Sequence, residues 1–257
     1  MMKYLSYKNY VLFVLIVLIV SCKEKAMDST YANTTDKNQQ KKTKKSPVLK
    51  LNKKKFTETE SLHFNHSVGG DPIEEETWVA MKYDNDFLEI KFECRNNHRL
   101  DQNHYVKDNS AMFNQEVFEL FICKGKEVQG KYLEIQINPN NALFLAKITN
   151  RFKPKREYKI EYIDTKTSGV THTVEKDTIN DIWKGSLKIP LKVLEYPKPT
   201  KEAIYRLNMF RVISNVDHAD KKWSHTTETS TFACWNSTMT PTPQFHIPDA
   251  FGVLILE

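Results

Sequence analysis

A two-residue alternation of apolar and polar side chains is the feature of this chain that most restricts its fold. In residues 88–94 four apolar side chains alternate with three charged ones, and residues 133–137 repeat the period; residues 118–122 also place an apolar side chain at every second position. Because successive side chains of a strand point to opposite faces of a sheet, this period predicts strands that bury one face. Turn-forming Asn, Asp and Pro separate these short segments, and helical periodicity is scarce. The predicted fold class is therefore all-β, an antiparallel β-sandwich.

The first 22 residues have the organisation of a bacterial lipoprotein signal peptide. Two lysines precede an unbroken apolar run at residues 11–20, and Ser21 and Cys22 follow it. The run is too short for a comfortable membrane span. Residues 19–22 resemble a lipobox, so we expect lipidation at Cys22 and a lipid anchor in the membrane of the cell envelope. Lys23 directly after that residue favours the outer membrane, with the folded part facing the periplasm or the cell surface.

Residues 23–55 are predicted to be a disordered tether. The segment holds 11 Lys against three acidic residues and shows no apolar periodicity. Such a sequence buries too little apolar surface to offset its chain entropy. The whole chain carries a net charge of +6, but residues 56–257 hold 25 basic and 29 acidic residues, a net charge of −4. The basic character therefore belongs to the tether, and nucleic-acid binding by the folded part is not expected.

Residues 56–257 are predicted to form one domain, since about 200 residues is a usual size for a single β-sandwich. We expect this domain to be a monomer. Once Cys22 carries lipid, Cys94, Cys123 and Cys234 remain, and an odd number of cysteines cannot all pair within one chain. One disulfide between Cys94 and Cys123, or two or three buried free thiols, both fit the sequence.

A row of polar side chains is predicted on the outer face of the central strands. If Phe118 and its apolar neighbours two residues apart face the core, Glu119 faces away from it. The same argument places Glu134, Gln136 and Asn138 on an outer face. Carboxylates and amides can each engage two adjacent hydroxyl groups of a sugar. The pattern alone, however, favours ordinary solvated residues of a half-exposed sheet.

Aromatic side chains supply a second element that sugar binding needs. Sugar rings present C–H faces that pack on flat aromatic rings. Trp235 lies in a polar loop and is the predicted stacking platform, with a structural plug at the end of the sandwich as the alternative. Phe113, just before a predicted strand, is a second candidate. Trp78 and Trp183 lie within strand patterns and are interpreted as core residues.

Six segments between Thr77 and Glu257 match, in order, the pattern of one known family. The last joins Trp235 to a Phe-His-x-Pro-x-x-Phe-Gly signature at residues 245–252. The other five are residues 83–88 (YDNDFL), 114–121 (NQEVFELF), 132–139 (YLEIQINP), 189–191 (IPL) and 206–211 (RLNMFR). Each segment is weak alone, but together they are specific. This region resembles the family 9-like carbohydrate-binding modules, whose sandwich is DOMON-like.

The resemblance implies a β-sandwich that grips a sugar between aromatic side chains, with carboxylate, amide and Arg groups around it. By motif position it implies that Glu119, Asn138, Arg211 and Trp235 bind the ligand, with Phe113 as the second aromatic. The implied function is non-catalytic glycan binding, accessory to polysaccharide capture or degradation. The terminal segment from Phe245 to Leu256 is interpreted as scaffold that does not touch the ligand.

Three features depart from the family's pattern or complicate it. Phe113 stands where members often carry Trp, and Ile247 stands where they often carry a basic residue. Strict alternation also places Asn208 and Arg211 on opposite faces of their strand, so one of the two would be structural. These features bear on the affinity and on which sugar is bound.

Other functions receive less support. The nucleophile-elbow, zincin, dinucleotide-binding and Cys-x-x-Cys motifs are absent from the sequence, so no catalytic residues are predicted. A glycoside hydrolase needs two carboxylates at a defined separation, which 29 acidic residues do not exclude. Related sandwiches can hold haem between a Met and a His, and Met81, Met112 and Met209 are available for such a redox role. A structural envelope lipoprotein is the remaining alternative.

Metal binding is weakly indicated. Asp84, Asp86 and Asp101 could supply oxygen ligands to a structural calcium ion, but without the spacing of an EF-hand. The histidine pairs at 63 and 66 and at 98 and 104 lack an acidic or Cys residue that would complete a recognisable site. No cofactor is therefore predicted, with calcium as the alternative.

Overall fold

The computed structural model of the protein describes residues 46–58, 64–97, 99–151 and 157–257. The predicted signal peptide with Cys22, and the predicted tether up to residue 45, lie outside the described residues. Within these ranges, none of the helices has the length and apolar character that crossing a bilayer requires.

Strands make up most of the regular structure in the described ranges. The helical segments are α1 (Thr165–Ser168) and three 3-10 turns at Met112–Asn114, Val193–Glu195 and Pro248–Ala250. The strands are β1 (Val48–Leu51), β2 (Thr57–Glu58), β3 (Asn65–His66), β4 (Thr77–Tyr83), β5 (Phe87–Cys94), β6 (Val117–Lys124), β7 (Lys131–Ile137), β8 (Leu143–Arg151), β9 (Glu157–Tyr162), β10 (Thr171–Asp177), β11 (Ile182–Pro190), β12 (Ile204–Ser214), β13 (Ser230–Cys234) and β14 (Gly252–Leu256).

The strands form two sheets. The large sheet has the order β1-β14-β12-β6-β7-β8-β9, and β13 pairs with the second half of β12 and with β3. The small sheet has the order β10-β11-β5-β4-β2. Neighbouring strands are antiparallel, except that β1 runs parallel to β14. The prediction of an all-β antiparallel sandwich is confirmed.

The main core lies between the two sheets. Phe92 of the small sheet stacks on Phe118 of the large sheet with ring centroids 4.2 Å apart. Trp183 is fully buried and meets the Phe92 ring edge-on at 5.0 Å, which confirms it as a core residue. The same prediction is wrong for Trp78, which is 41% exposed. Because Val79 is in the core, the alternation along β4 turns Trp78 to the outer face of the small sheet.

A second apolar layer covers the opposite face of the large sheet. Phe121, Tyr132, Phe144 and Phe210 pack there with Phe251 from the chain terminus. Since β6 is apolar on both faces apart from Glu119 and Lys124, all eight of its residues are buried. The outer face that carries the predicted polar row is therefore a covered surface rather than a solvated one.

The folded domain begins earlier than predicted. Strand β1 lies inside the predicted tether 23–55 and pairs with β14, and Leu49 and Leu51 are buried in the main core. The tether prediction is therefore wrong for residues 46–55. The Lys-rich composition hid a short strand whose two leucines, two positions apart, face inward.

The three cysteines of the domain are buried thiols. Cys94 lies in the main core, whereas Cys123 and Cys234 lie in the second apolar layer. None of the three forms a disulfide. The alternative of buried thiols is the one that the structure bears out.

Candidate functional site

A cleft of about 220 Å³ lies on the outer face of the large sheet. Strands β6 and β7 contribute its two carboxylates, Glu119 and Glu134. Aromatic side chains form its walls, and two histidines complete it. These walls and histidines are Phe113, Phe144, Tyr158, Phe232, Phe245, His225 and His246.

The aromatic walls are fixed by contacts with one another. Phe113 meets Phe144 edge-on at 6.2 Å. On the other side, Phe245 meets Phe232 edge-on at 5.9 Å and stacks at 4.4 Å on Phe210 of the second apolar layer. Tyr158 is 38% exposed, which leaves much of its ring open to solvent. The cleft therefore presents flat apolar surfaces held in place before any ligand arrives.

His246 of the terminal signature is held firmly in the cleft. Its Nδ1 lies 2.7 Å from the Tyr132 hydroxyl and its Nε2 lies 3.0 Å from the Tyr158 hydroxyl. The ring stacks on Phe121 at 4.9 Å, and the Asn150 amide donates a 2.8 Å hydrogen bond to the His246 carbonyl. The terminal signature thus lines the cleft through Phe245 and His246, so its interpretation as scaffold away from the site is corrected.

The floor of the cleft carries two carboxylates that are almost fully buried. Glu119 is 2% exposed and Glu134 is 4% exposed. In the β6–β7 register Glu119 stands opposite Gln136, while Glu134 stands opposite Phe121. The two carboxylates are therefore diagonal neighbours on one face, and the prediction that they and Gln136 face away from the main core is confirmed.

Few hydrogen bonds satisfy these carboxylates. The Gln136 amide nitrogen donates to Glu134 Oε1. Glu134 Oε2 has no partner, and the described residues donate no hydrogen bond to the Glu119 carboxylate. Since buried polar atoms are nearly always satisfied in folded proteins, unsatisfied acceptors beside a cleft indicate a place for donors from a ligand.

Burial also perturbs the ionisation of these groups. Burial raises the pKa of Glu119 well above its ordinary value, and repulsion from Glu134 raises this pKa further. Burial likewise raises the pKa of Glu134, against the opposing effect of the Gln136 hydrogen bond. Burial lowers the pKa of His225, whose Nδ1 lies 2.9 Å from the Phe113 carbonyl oxygen. Among the described residues that line the cleft, no Lys or Arg lies beside these two carboxyls.

Trp235 does not lie in the cleft. Its ring is 7% exposed and packs in the main core between the sheets. The Trp235 N–H bonds the Met209 carbonyl at 2.9 Å, which continues the pairing of β13 with β12 by one residue. Trp235 therefore points to the same side as Ala233, into the core. It lies in the bend directly after β13, as predicted, but as a buried structural residue and not as an exposed stacking platform.

Arg211 also lies outside the cleft. Its side chain is fully buried and its Nε donates a 2.9 Å hydrogen bond to Glu116 Oε1. Across the sheet it stands opposite Phe118, so it points into the main core. The prediction that Asn208 and Arg211 face opposite sides holds, because Asn208 bonds the Asn236 carbonyl at 2.8 Å on the outer side.

Asn138 closes a turn rather than lining the cleft. Its Oδ1 accepts hydrogen bonds from the backbone N–H groups of Asn140 and Ala142 at 3.1 and 3.0 Å. Its Nδ2 donates to the Tyr105 carbonyl at 2.8 Å. Of the five ligand-binding residues that the sequence predicts, the structure therefore brings only Glu119 and Phe113 together in the cleft.

The described residues offer no cluster of three or more His, Cys, Asp or Glu side chains that could hold a metal ion. Asp84, one of the three proposed calcium ligands, instead accepts hydrogen bonds from the N–H groups of Asp86 and Phe87, both at 2.8 Å. The three methionines considered for haem, Met81, Met112 and Met209, are fully buried within the two apolar clusters. His63 and His98 lie outside the described residues.

The sequence interpretation missed most of the aromatic walls. Phe144 and Phe232 stand in ordinary strand patterns, and nothing in those patterns distinguishes a cleft wall from a core residue. Phe245 and His246 carried a signal in the sequence, because they open the Phe-His-x-Pro-x-x-Phe-Gly signature, but that signature was interpreted as scaffold. Glu134 was predicted to face outward but was not assigned to the site.

The fold and the cleft together define a class: a two-sheet β-sandwich module with an aromatic, carboxylate-lined cleft on one sheet. The sequence pattern of carbohydrate-binding family 9 matches residues 46–256. The chain belongs to this family. The match also begins ahead of residue 56, in agreement with the position of strand β1.

Individual relatives are distant. An extracellular protein of Arthroderma benhamiae is 23% identical over 198 residues, which cover 76% of this chain and 84% of that protein. A candidate carbohydrate-binding protein from Bacteroides uniformis shares 14% identity with a TM-score of 0.54, over 83% of this chain and 99% of that one. A family 9 module from Caldicellulosiruptor kristjanssonii, solved with glucose, shares 12% identity with a TM-score of 0.48, over 82% and 96% of the two chains.

Proposed function

We propose that this protein binds carbohydrate, without cleaving it, in the cleft on the outer face of the large sheet. The observation that carries the proposal is the combination, in one cleft, of preformed aromatic walls with unsatisfied carboxylate oxygens. The C–H faces of a sugar pack on flat aromatic rings, and its hydroxyl groups donate hydrogen bonds to the buried carboxylate oxygens. Membership of carbohydrate-binding family 9 supports the same function.

The size of the cleft suits a small part of a glycan. Its volume of about 220 Å³ is below the usual range for drug-sized ligands, so it fits one or two sugar units rather than a long chain. The walls are already packed, so binding needs little ordering of side chains and loses little conformational entropy. We therefore propose capture of a short glycan or of the end of a longer one.

Replacing Phe113 by Ala tests the binding site. The Phe113 ring lines the cleft and is only partly buried, so the change should remove stacking area with little effect on the fold. We expect the affinity for a sugar identified on a glycan array to fall about tenfold, measured by isothermal titration calorimetry. Trp78→Ala is the matched control, because Trp78 is an exposed aromatic on the other sheet.

Two outcomes would contradict the proposal. Failure of every glycan on a broad array to bind the folded protein would remove the function itself. Unchanged affinity in Phe113→Ala, or an equal loss in Trp78→Ala, would move the site away from this cleft. Release of reducing sugar from a bound glycan, lost in Glu134→Gln, would replace binding with hydrolysis.

We propose in addition that the domain is held at the cell envelope by lipid on Cys22, in an accessory role in polysaccharide capture or degradation. The support is the sequence of residues 1–22, with its lipobox-like end. Expression of Cys22→Ser in a bacterial host should move the protein from the membrane fraction to the soluble fraction. Equal membrane retention of the Ser variant and the natural protein would contradict lipid anchoring.

A further inference from the structure

The floor of the cleft offers acceptors without donors. Glu119 and Glu134 are both more than nine-tenths buried and both line the cleft. Glu134 Oε2 is buried without a hydrogen-bond partner, and no hydrogen bond from the described residues contributes to the pKa of Glu119. A ligand group that satisfies this floor must therefore bring several hydrogen-bond donors to one place.

The described residues supply the floor with no compensating Lys or Arg. Neither residue type is among the described residues that line the cleft. Of the two lining histidines, His225 is disfavoured as a cation because burial lowers its pKa. Two buried carboxylates without a cation are unfavourable, and a cation from outside relieves both desolvation and mutual repulsion.

A sugar hydroxyl and a sugar amine differ in how well they match this floor. A hydroxyl donates one hydrogen bond and brings lone pairs that find no donor at the two carboxylates when these are ionised. A protonated amine donates three hydrogen bonds, carries one positive charge and has no lone pair left. Its three donors can serve the unpartnered Glu134 Oε2 and the Glu119 carboxylate together, and charge-assisted hydrogen bonds are the stronger kind.

We infer that the cleft prefers an amino sugar with a free, protonated amine, such as a hexosamine unit of a partly deacetylated glycan. This inference rests on the proposed carbohydrate function and names the class of sugar. In this arrangement the amine lies between Glu119 and Glu134, while the apolar face of the sugar ring packs on the aromatic walls. An N-acetylated sugar is disfavoured, because acetylation removes the charge and two of the three donors.

The test is a comparison of matched sugars by isothermal titration calorimetry at neutral pH. Glucosamine, galactosamine and mannosamine are each measured beside the neutral parent sugar and the N-acetyl derivative. We expect at least one free amine to bind roughly tenfold more tightly than both of its partners. Ethanolamine, which carries the amine without a sugar ring, should bind far more weakly.

Variants assign the preference to the two carboxylates. Glu119→Gln keeps the shape of the side chain but removes its charge. The affinity for the amino sugar divided by the affinity for the neutral sugar should then fall to about one. Glu134→Gln is the second variant and tests the other carboxylate. Trp78→Ala should keep the ratio of the natural protein. Thermal unfolding of each variant verifies that the sandwich is intact.

The ratio should also depend on pH. Burial raises the pKa of Glu134 to about 8 and, together with repulsion from Glu134, raises the pKa of Glu119 well above its ordinary value, so their charge and the preference for the amine should grow as the pH rises from neutral towards about 8. His225, His246 and Tyr158 are the other titratable groups that line the cleft. In a variant with Gln at both 119 and 134 the affinity ratio should no longer increase with pH. That result would assign the pH dependence to the two carboxylates and not to His225, His246 or Tyr158.

The possible failures are distinguishable. If neutral or N-acetylated sugars bind as tightly as the amines, the inference is overturned while the proposed function stands. If ethanolamine binds as tightly as the amino sugars, the cleft recognises a cation rather than a sugar, and the inference is again overturned. If no glycan of a broad array, amino or neutral, binds the folded protein, the proposed function itself fails.

Discussion

Trp235→Ala is expected to lower the free energy of unfolding by about 3–5 kcal/mol, the usual cost of truncating a large buried aromatic side chain. The ring is 7% exposed and belongs to the main core. It packs so closely on Gly252 that a Cβ atom there would lie 2.4 Å from a ring carbon. Removal leaves a cavity that the surrounding strands fill only in part. Urea denaturation measures the loss directly.

The same variant separates a structural role from a binding role. In conditions where Trp235→Ala remains folded, its sugar affinity should equal that of the natural protein. Trp78→Ala makes the same chemical change at an exposed position and should cost about 1 kcal/mol or less. Loss of binding in Trp235→Ala with a stability change under about 1 kcal/mol would instead restore Trp235 as the stacking platform.

The strand pattern allowed much of the fold to be predicted, because the two-residue period is imposed by backbone geometry. It placed Glu119 and Glu134 correctly on the face away from the main core. It could not reveal that this face is covered. Phe121 and Phe210 are apolar and lie on the outer side of strands whose inner side is also apolar. Where both sides of a strand are apolar, the sequence pattern does not show which face is exposed to solvent.

The candidate site was harder to predict, since its walls come from segments far apart in the sequence. Phe113 and Phe245 are 132 positions apart in the numbering, and both reach the cleft only through the pairing of β6, β12 and the terminal segment. Motif position drew attention to Trp235, but β13 has too few apolar residues to show that its register continues through that position. Tertiary pairing, not local pattern, decided the outcome there.

Arg211 shows a misprediction that the sequence itself could have prevented. Leu207 and Met209 precede it at the same two-residue spacing and face the main core. The alternation therefore already pointed the Arg211 side chain inward, away from Glu119. Motif position outweighed this physical argument. A charged residue at a core-facing position indicates a buried ion pair more strongly than it indicates a ligand contact.

Arg211→Met is expected to lower the free energy of unfolding by about 3–5 kcal/mol, because it leaves the Glu116 carboxylate buried without its cation. The guanidinium is fully buried beside Glu116. It also donates hydrogen bonds to the carbonyls of Glu75, Glu76 and Arg95 at 3.2, 3.1 and 3.3 Å. One side chain thus joins β12 of the large sheet to the chain on both sides of the β4–β5 hairpin.

Adding Glu116→Gln to Arg211→Met should restore part of the lost stability, because a neutral amide no longer leaves a charge in the core. The Gln oxygen can still accept the hydrogen bond that Trp183 Nε1 donates to Glu116 Oε1 at 2.9 Å. A double-mutant cycle by urea denaturation measures this coupling. Strictly additive losses of unfolding free energy would show that Arg211 and Glu116 are not coupled. A loss below about 1 kcal/mol in Arg211→Met would show that Arg211 does not hold the two sheets together. Sugar binding by the folded Arg211→Met protein should be unchanged, because the cleft lies on the opposite face of the large sheet.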